Sequence, residues 1–457
     1  MTSLDNLRRQ ARSLRRAWDA GDGDARARVA AVLPAVQALK HADALHVLAR
    51  EQGYDSWPKL KFATEAATLD RAAKAERLKH ALYLGQPWIV SALLDDSPDL
   101  GEADFGLQCA LYDLPGVRAR LAKDPVAATR IVGVRSPLLH LAFSQHLHGG
   151  GDPEAMMAVA EALLSAGADV NDGYPFEPGA EHHLSALYGA LCHGRNMRLG
   201  EWLLANGADP NDNESLYHAT ELGHLDALRL LLSHGARTEG TNALLRALDF
   251  DNPEMVRLLL EAGADPNEGV APHPSGETPQ SIPALHQAAR RLCSAEIVDL
   301  LLAHGADPEL RFDGHSAYAM ARICGNGAMV AAMEKAGSNA ALDPIEAQLA
   351  RAADGTSSEG DWIDMARLSP ELQRLLTRLV WRPGSLPHIK RLVALGFDPN
   401  VPDEMGAPPL HLAGWEGSAG ENGLLPVAQS GSVPCEWLRR YALFDHPPRV
   451  RKLPSTS

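Results

Sequence analysis

Aromatic side chains are scarce in this chain: Phe, Trp and Tyr make up 5% of 457 residues, although apolar residues reach 45%. Ala and Leu dominate instead, which suits helices packed closely on small side chains. No stretch approaches the roughly 18 consecutive apolar residues of a membrane-spanning helix. The opening segment MTSLDNLRRQ has no apolar run behind its charges, so it does not read as a secretion signal. Five cysteines, an odd number without paired spacing, argue against a disulfide framework and for a reducing, cytoplasmic setting. Also missing are a Gly-rich phosphate loop ending in Lys-Ser/Thr, a His-Glu-x-x-His pair, a Cys-x-x-Cys pair and a Gly-x-Ser-x-Gly elbow. No catalytic residue, metal or cofactor is expected, and no membrane association.

Lysine is rare as well, with 9 against 34 arginines, a bias common in GC-rich bacterial genomes. The charge is uneven. Residues 1–70 and 418–457 each carry +2, so the stretch between them holds −19 of a chain total of −15. A field of that sign repels nucleic acid and anionic lipid and steers in a basic protein partner, most strongly at low salt.

What the chain has in abundance is repetition. The signature Gly-Ala-Asp-Pro-Asn, or a near copy, begins at Gly167, Gly207, Gly263, Gly305 and Gly396, with a worn copy at Gly235. A Leu-rich run at helical spacing precedes each, such as Met255, Val256, Leu258, Leu259 and Leu260. A second pattern, Ser/Pro-Ala/Pro-Leu-x-x-Ala, ends at Ala142, Ala190, Ala219, Ala247, Ala288, Ala321 and Ala413. Each unit reads as a short Ala-centred helix, a Leu-rich helix, a Gly stop and a polar turn. Such a unit cannot bury its apolar face alone, so the copies must stack.

The two patterns in fixed order resemble the ankyrin repeat, most closely at Pro283–Ala288 (PALHQA) and Pro408–Ala413 (PPLHLA). The resemblance implies an all-α solenoid of helix-turn-helix repeats with hairpin fingers, binding other proteins without chemistry of its own. It also gives His286 and His411, and His140 at a comparable place, a structural role: hydrogen bonding to neighbouring turns. Ala49–Lys61 (AREQGYDSWPKLK) is similar to a module that precedes ankyrin arrays in many bacterial proteins.

Signature spacings of 40, 28, 28 and 42 residues separate Gly167, Gly207, Gly235, Gly263 and Gly305. The ankyrin unit averages about 33. The short units must have lost their fingers, and the long ones gained length at 171–184 and 267–283, both rich in Gly and Pro. Two long fingers flanking two clipped ones would form a notch. Its expected partner-binding residues are Tyr174, Phe176, His182 and His183 on one finger and His273 on the other.

The expected organisation is a helical N-terminal domain over 1–72, worn repeats over 75–130, core repeats over 131–340 and degenerate repeats over 341–417. An irregular, disordered tail, a divergent cap or a frameshifted end then occupies 418–457. Within the first domain, helices are expected at 4–18 (with Arg8, Arg9, Arg12, Arg15 and Arg16 off its apolar stripe), at 25–39, at 43–52 and from Ser56 onward. Cys192, Cys293 and Cys324 read as packing residues. The alternative to a scaffold is an effector or toxin-type protein with an unrecognised catalytic segment at 1–70 or 340–457; self-association through the N-terminal helices is a third reading.

Overall fold

The computed structural model describes residues 3–412, apart from 178, 181, 270–281, 359, 381, 383, 404, 405 and 410. It divides into two compact units, Met1–Tyr174 and Pro175–Ser457.

In the first unit, Ser3 accepts from the Asn6 N–H at 3.3 Å and starts a helix over Leu4–Asp19. Helices follow at Gly23–Val32, His41–Glu51 and Trp57–Ala66. Gly23–Val32 stops short of the 25–39 expected. Pro34 bars its predecessor from helical backbone, and Leu33 turns out at φ −131°, ψ 72°. Ala11, Leu14, Val29, Ala44, Val47 and Leu48 form one core, while Tyr54 and Trp57 pack beside Leu7, Ala49 and Leu60 in another. Helix pairs follow at Arg71–Tyr83 with Pro87–Asp96, Phe105–Ala110 with Leu114–Lys123, and Pro137–Ala142 with Pro153–Ser165.

The second unit continues with pairs whose short first helices lie side by side: Ser215–Glu221, Ala243–Leu248, Ala284–Arg291, Ala317–Cys324 and Pro344–Asp354. The second helices, Leu225–Ser233, Pro253–Glu261, Ala295–Ala303 and Gly327–Lys335, form the other layer. Ala219, Ala247, Ala288 and Ala321 are all fully buried where the first helices meet. A larger side chain there would force the layer apart.

The Gly-Ala-Asp-Pro-Asn signature has a physical account. Gly207 (φ 95°) and Gly263 (φ 97°) take the left-handed conformation that ends a helix. The following N–H groups of Ala208 and Ala264 return to Leu203 and Leu259 carbonyls at 3.0 Å. Asp209 and Asp265 then accept from the N–H two residues on, at 2.9 and 2.8 Å, fixing the turn. Asn211 accepts from Arg237 N–H at 2.8 Å, and Asn267 from Asp307 N–H at 2.9 Å, tying each turn to the next repeat. The worn copy at Gly235 ends in Glu239 and lacks that asparagine.

Among the described residues, strands occur only at Gly173–Pro175, His183–Ser185, Arg311–Phe312 and His315–Ser316. The turns after Gly207 and Gly235 have none, as the 28-residue spacings require. The helix expected over 370–381 is broken into Pro370–Gln373 and Leu375–Leu379, where the Thr377 hydroxyl donates to the Arg374 carbonyl at 2.7 Å. Leu386–Ala394 restores a second helix. The segment 418–457 lies outside the described residues.

Candidate functional site

The clipped repeats carry a chain of alternating charges across the first-helix layer. Glu214, 3% exposed just before Ser215–Glu221, has one carboxylate oxygen 2.5 Å from His182 Nε2 and the other 2.8 Å from His218 Nε2. His218 Nδ1 is 2.6 Å from Glu221, whose second oxygen accepts from Arg246 at 2.6 Å. Arg246 also donates to Asp249 at 2.8 Å, and Asp249 accepts from Arg291 Nε at 2.7 Å and Gln287 Nε2 at 2.8 Å. The line therefore runs from the first finger to the helix Ala284–Arg291, crossing from one repeat to the next at Glu221–Arg246 and again at Asp249–Arg291.

Burial alone would push the His218 imidazole down. Its bonds to Glu214 and Glu221 reverse this and lift it to about 9, so it is an imidazolium at neutral pH. Glu221 is likewise opposed by burial, yet His218 and Arg246 hold its carboxyl at about 2. Arg246 is raised despite its burial by the charges around it, and its guanidinium lies 5.1 Å from the Phe250 ring. Beside this line sits Asp212, partly buried, its carboxyl pushed up by desolvation. It accepts from the Ser185 and Ser215 hydroxyls at 2.5 and 2.6 Å. Ser185 also caps Ala186–Tyr188, which continues as a π-helix over Gly189–His193. Each charged group along the line faces a counter-charge within the protein, which makes it a supporting frame and not a set of free nucleophiles.

The finger residues expected to bind a partner separate into distinct kinds. His182 touches Glu214. Phe176 is half-buried and donates its N–H to the His182 carbonyl at 3.2 Å, and His183 is exposed. Tyr174 is 8% exposed, not an exposed anchor. Its hydroxyl accepts from Arg135 at 2.7 Å and its ring meets Phe143 edge-on at 5.2 Å. The strand Gly173–Pro175 turns this ring into the first unit, where the cation and the neighbouring ring hold it away from solvent. His273, on the second finger, lies outside the described residues.

Two of the three histidines given a structural role make the ring hydrogen bonds that the resemblance implied. His140 Nε2 is 2.9 Å from the Val132 carbonyl and His286 Nε2 is 3.0 Å from the His315 carbonyl, and burial pushes both rings down to about 4. Cys192 and Cys293 donate to carbonyls of neighbouring repeats, Ser215 at 3.4 Å and Leu248 at 3.2 Å. Burial pushes the Cys293 thiol up to about 12 and raises Cys192 well above its ordinary value, far from a nucleophilic thiolate.

Short helix pairs, a Gly-stopped second helix and charge links reaching from one repeat to the next define a helical-repeat solenoid. The family model for ankyrin repeats (3 copies) matches residues 187–269, and that for a single ankyrin repeat matches 283–312. The chain therefore carries ankyrin repeats over these residues. No curated protein matches it. Among solved structures it is similar to the human ASB11 ankyrin repeat domain, at 22% identity and a TM-score of 0.36 over 54% of this chain and 96% of that one. Ankyrin repeats are a protein-interaction module, and no helix of the described residues is long and apolar enough to cross a membrane.

Proposed function

We propose that the chain is a non-catalytic scaffold whose repeats grip a basic protein partner along the first-helix face and the adjoining fingers. The helix pairs over 75–130 and 341–417 are read as worn copies of the same repeat. The observation that carries the reading is the open face of the clipped repeats. With no finger strands after Gly207 and Gly235, the Phe250 ring stands at the surface, 44% exposed, over the partly buried Arg246 guanidinium 5.1 Å away. Asp209, Glu239, Asp265, Asp307 and Glu309 are exposed along the adjoining row of turns, which supports a partner of positive charge. The carboxylates of the buried line are already matched by cations, so they hold the face rigid and leave recognition to exposed groups.

Phe176→Ala combined with His183→Ala tests this. Affinity purification from the native organism, followed by titration of the captured partner, should show binding at least about tenfold weaker, since one aromatic anchor is worth ~2 kcal/mol in such interfaces. The melting temperature should not move. Undiminished affinity would remove the finger from the binding surface.

A further inference from the structure

In the first unit, three aromatic rings from three elements converge on a single cation. The Arg135 guanidinium lies 4.3 Å from the centroid of Tyr83, 4.3 Å from Tyr174 and 5.0 Å from Phe143. Tyr83 ends the helix Arg71–Tyr83, Phe143 follows Pro137–Ala142, and Tyr174 sits in the strand Gly173–Pro175. Tyr174 Oη accepts from the guanidinium at 2.7 Å, but no carboxylate of the described residues pairs with it, and its buried Nε has no hydrogen-bond partner. Arg135 arrives from a tight turn, Val132 N–H to Arg135 carbonyl at 2.8 Å, with Gly133 at φ 69°. The turn is pinned otherwise by His140 on the Val132 carbonyl, and its flanks are bare: Ile131 is 65% and Val134 67% exposed.

A pocket of ring faces and one hydroxyl recognises a flat cation by shape and quadrupole rather than by opposite charge. Phe143 and Tyr174 are buried while Tyr83 is half-buried, so the open side lies at Tyr83, next to the 40%-exposed Leu84. We propose that Tyr83, Phe143 and Tyr174 form a guanidinium-binding site that Arg135 closes in cis, and that an arginine presented by a basic partner chain takes its place. The chain's own segment defines the ligand, an arginine preceded by aliphatic residues. The site takes Tyr174 from the finger but neither Phe176 nor His183, and its test reads a peptide and not the native partner, so either reading can fail without the other.

The test uses the full chain with Arg135→Ala, titrated with the blocked peptide IVGVR and its lysine counterpart, IVGVK, and read by calorimetry and tyrosine ring NMR shifts. The variant should bind the arginine peptide saturably and the lysine peptide at least about tenfold more weakly. Wild type should bind the arginine peptide at least about tenfold more weakly than the variant, because the tethered Arg135 competes at an effective concentration of ~mM. Equal binding to wild type and variant, or none to the variant, overturns the proposal. Should the variant not fold, Tyr83→Ala in the wild-type background opens the pocket from its solvent side. Faster amide exchange over 131–135 supports the proposal, and unchanged protection there overturns it.

Discussion

The two units take cations out of water in opposite ways. Around His218 the second unit uses carboxylates, Glu214 at 2.8 Å and Glu221 at 2.6 Å, and extends the pattern through Arg246 and Asp249 to Arg291. Around Arg135 the first unit uses ring faces and one phenol. A carboxylate frame depends on every member: remove one and its neighbour is left charged in a poor solvent. An aromatic frame carries no net charge, so its cation can leave without stranding an ion. The first arrangement suits a rigid platform; the second suits a place where one cation is exchanged for another.

The sharpest break in that contrast comes from Glu214→Ala. His182 and His218 both lose their shared carboxylate inside a surface that is nearly sealed. Removing one partner of a buried pair costs about 3–5 kcal/mol. Exchange protection of the helix Ser215–Glu221 reads this locally, without requiring the two units to unfold together. A loss under about 1 kcal/mol would mean the line is decoration on a stack held by apolar contacts alone.

The same comparison explains which features are legible in the sequence. Gly stops and Ala centres are local, since each depends on residues within a turn or a helix, and among the described residues the structure places them, and the strands of the first finger, as the spacing predicts. The carboxylate line is not local: Glu221 meets Arg246 from 25 residues away, one whole repeat along. Scanning for short motifs passes over such pairs. Superposing repeats on Ala219 and Ala247 offers the available signal, with Glu221 two places after one and Arg246 one place before the other. The expectation of an exposed Tyr174 fails for a related reason. Its partner Arg135 is 39 residues upstream, and a Gly- and Pro-rich segment gives no alternation to show which face is inward. His182 is legible as a finger residue, while its attachment to Glu214, beyond a whole helix pair, is not.

Acidity separates the two units next. His218 titrates near 9 in the folded chain against an ordinary value of 6.5. A raised folded value means its contribution is complete below about 6.5 and is lost as pH climbs through 9; the magnitude is about 3 kcal/mol. Glu221, held at about 2, adds stability that is complete above its ordinary 4.5 and is lost only as pH falls toward 2. Local protection of Ser215–Glu221 should therefore be flat from about pH 5 to 6.5 and decline toward pH 9. His218→Gln should remove that decline, and a slope that survives the substitution would assign the effect elsewhere.

The smallest expected effect is the most diagnostic. Arg135→Met keeps a long, unbranched side chain among Tyr83, Phe143 and Tyr174 and strands no carboxylate, because none of the described residues faces the guanidinium with one. Sulfur against ring edges recovers part of what the cation gave, so urea unfolding followed at the first unit should shift by no more than about 1 kcal/mol. His140 sits nearby on the Val132 carbonyl and is pushed down to about 4 by its burial, so below pH 6.5 it weakens this unit in wild type and variant alike. The comparison therefore belongs at about pH 7.5, where that ring is neutral in both states. A loss there as large as that of Glu214→Ala would show that the aromatic frame depends on its cation as heavily as the carboxylate frame depends on its anions. A loss near zero would show that Arg135 occupies its cage without being needed to hold it together.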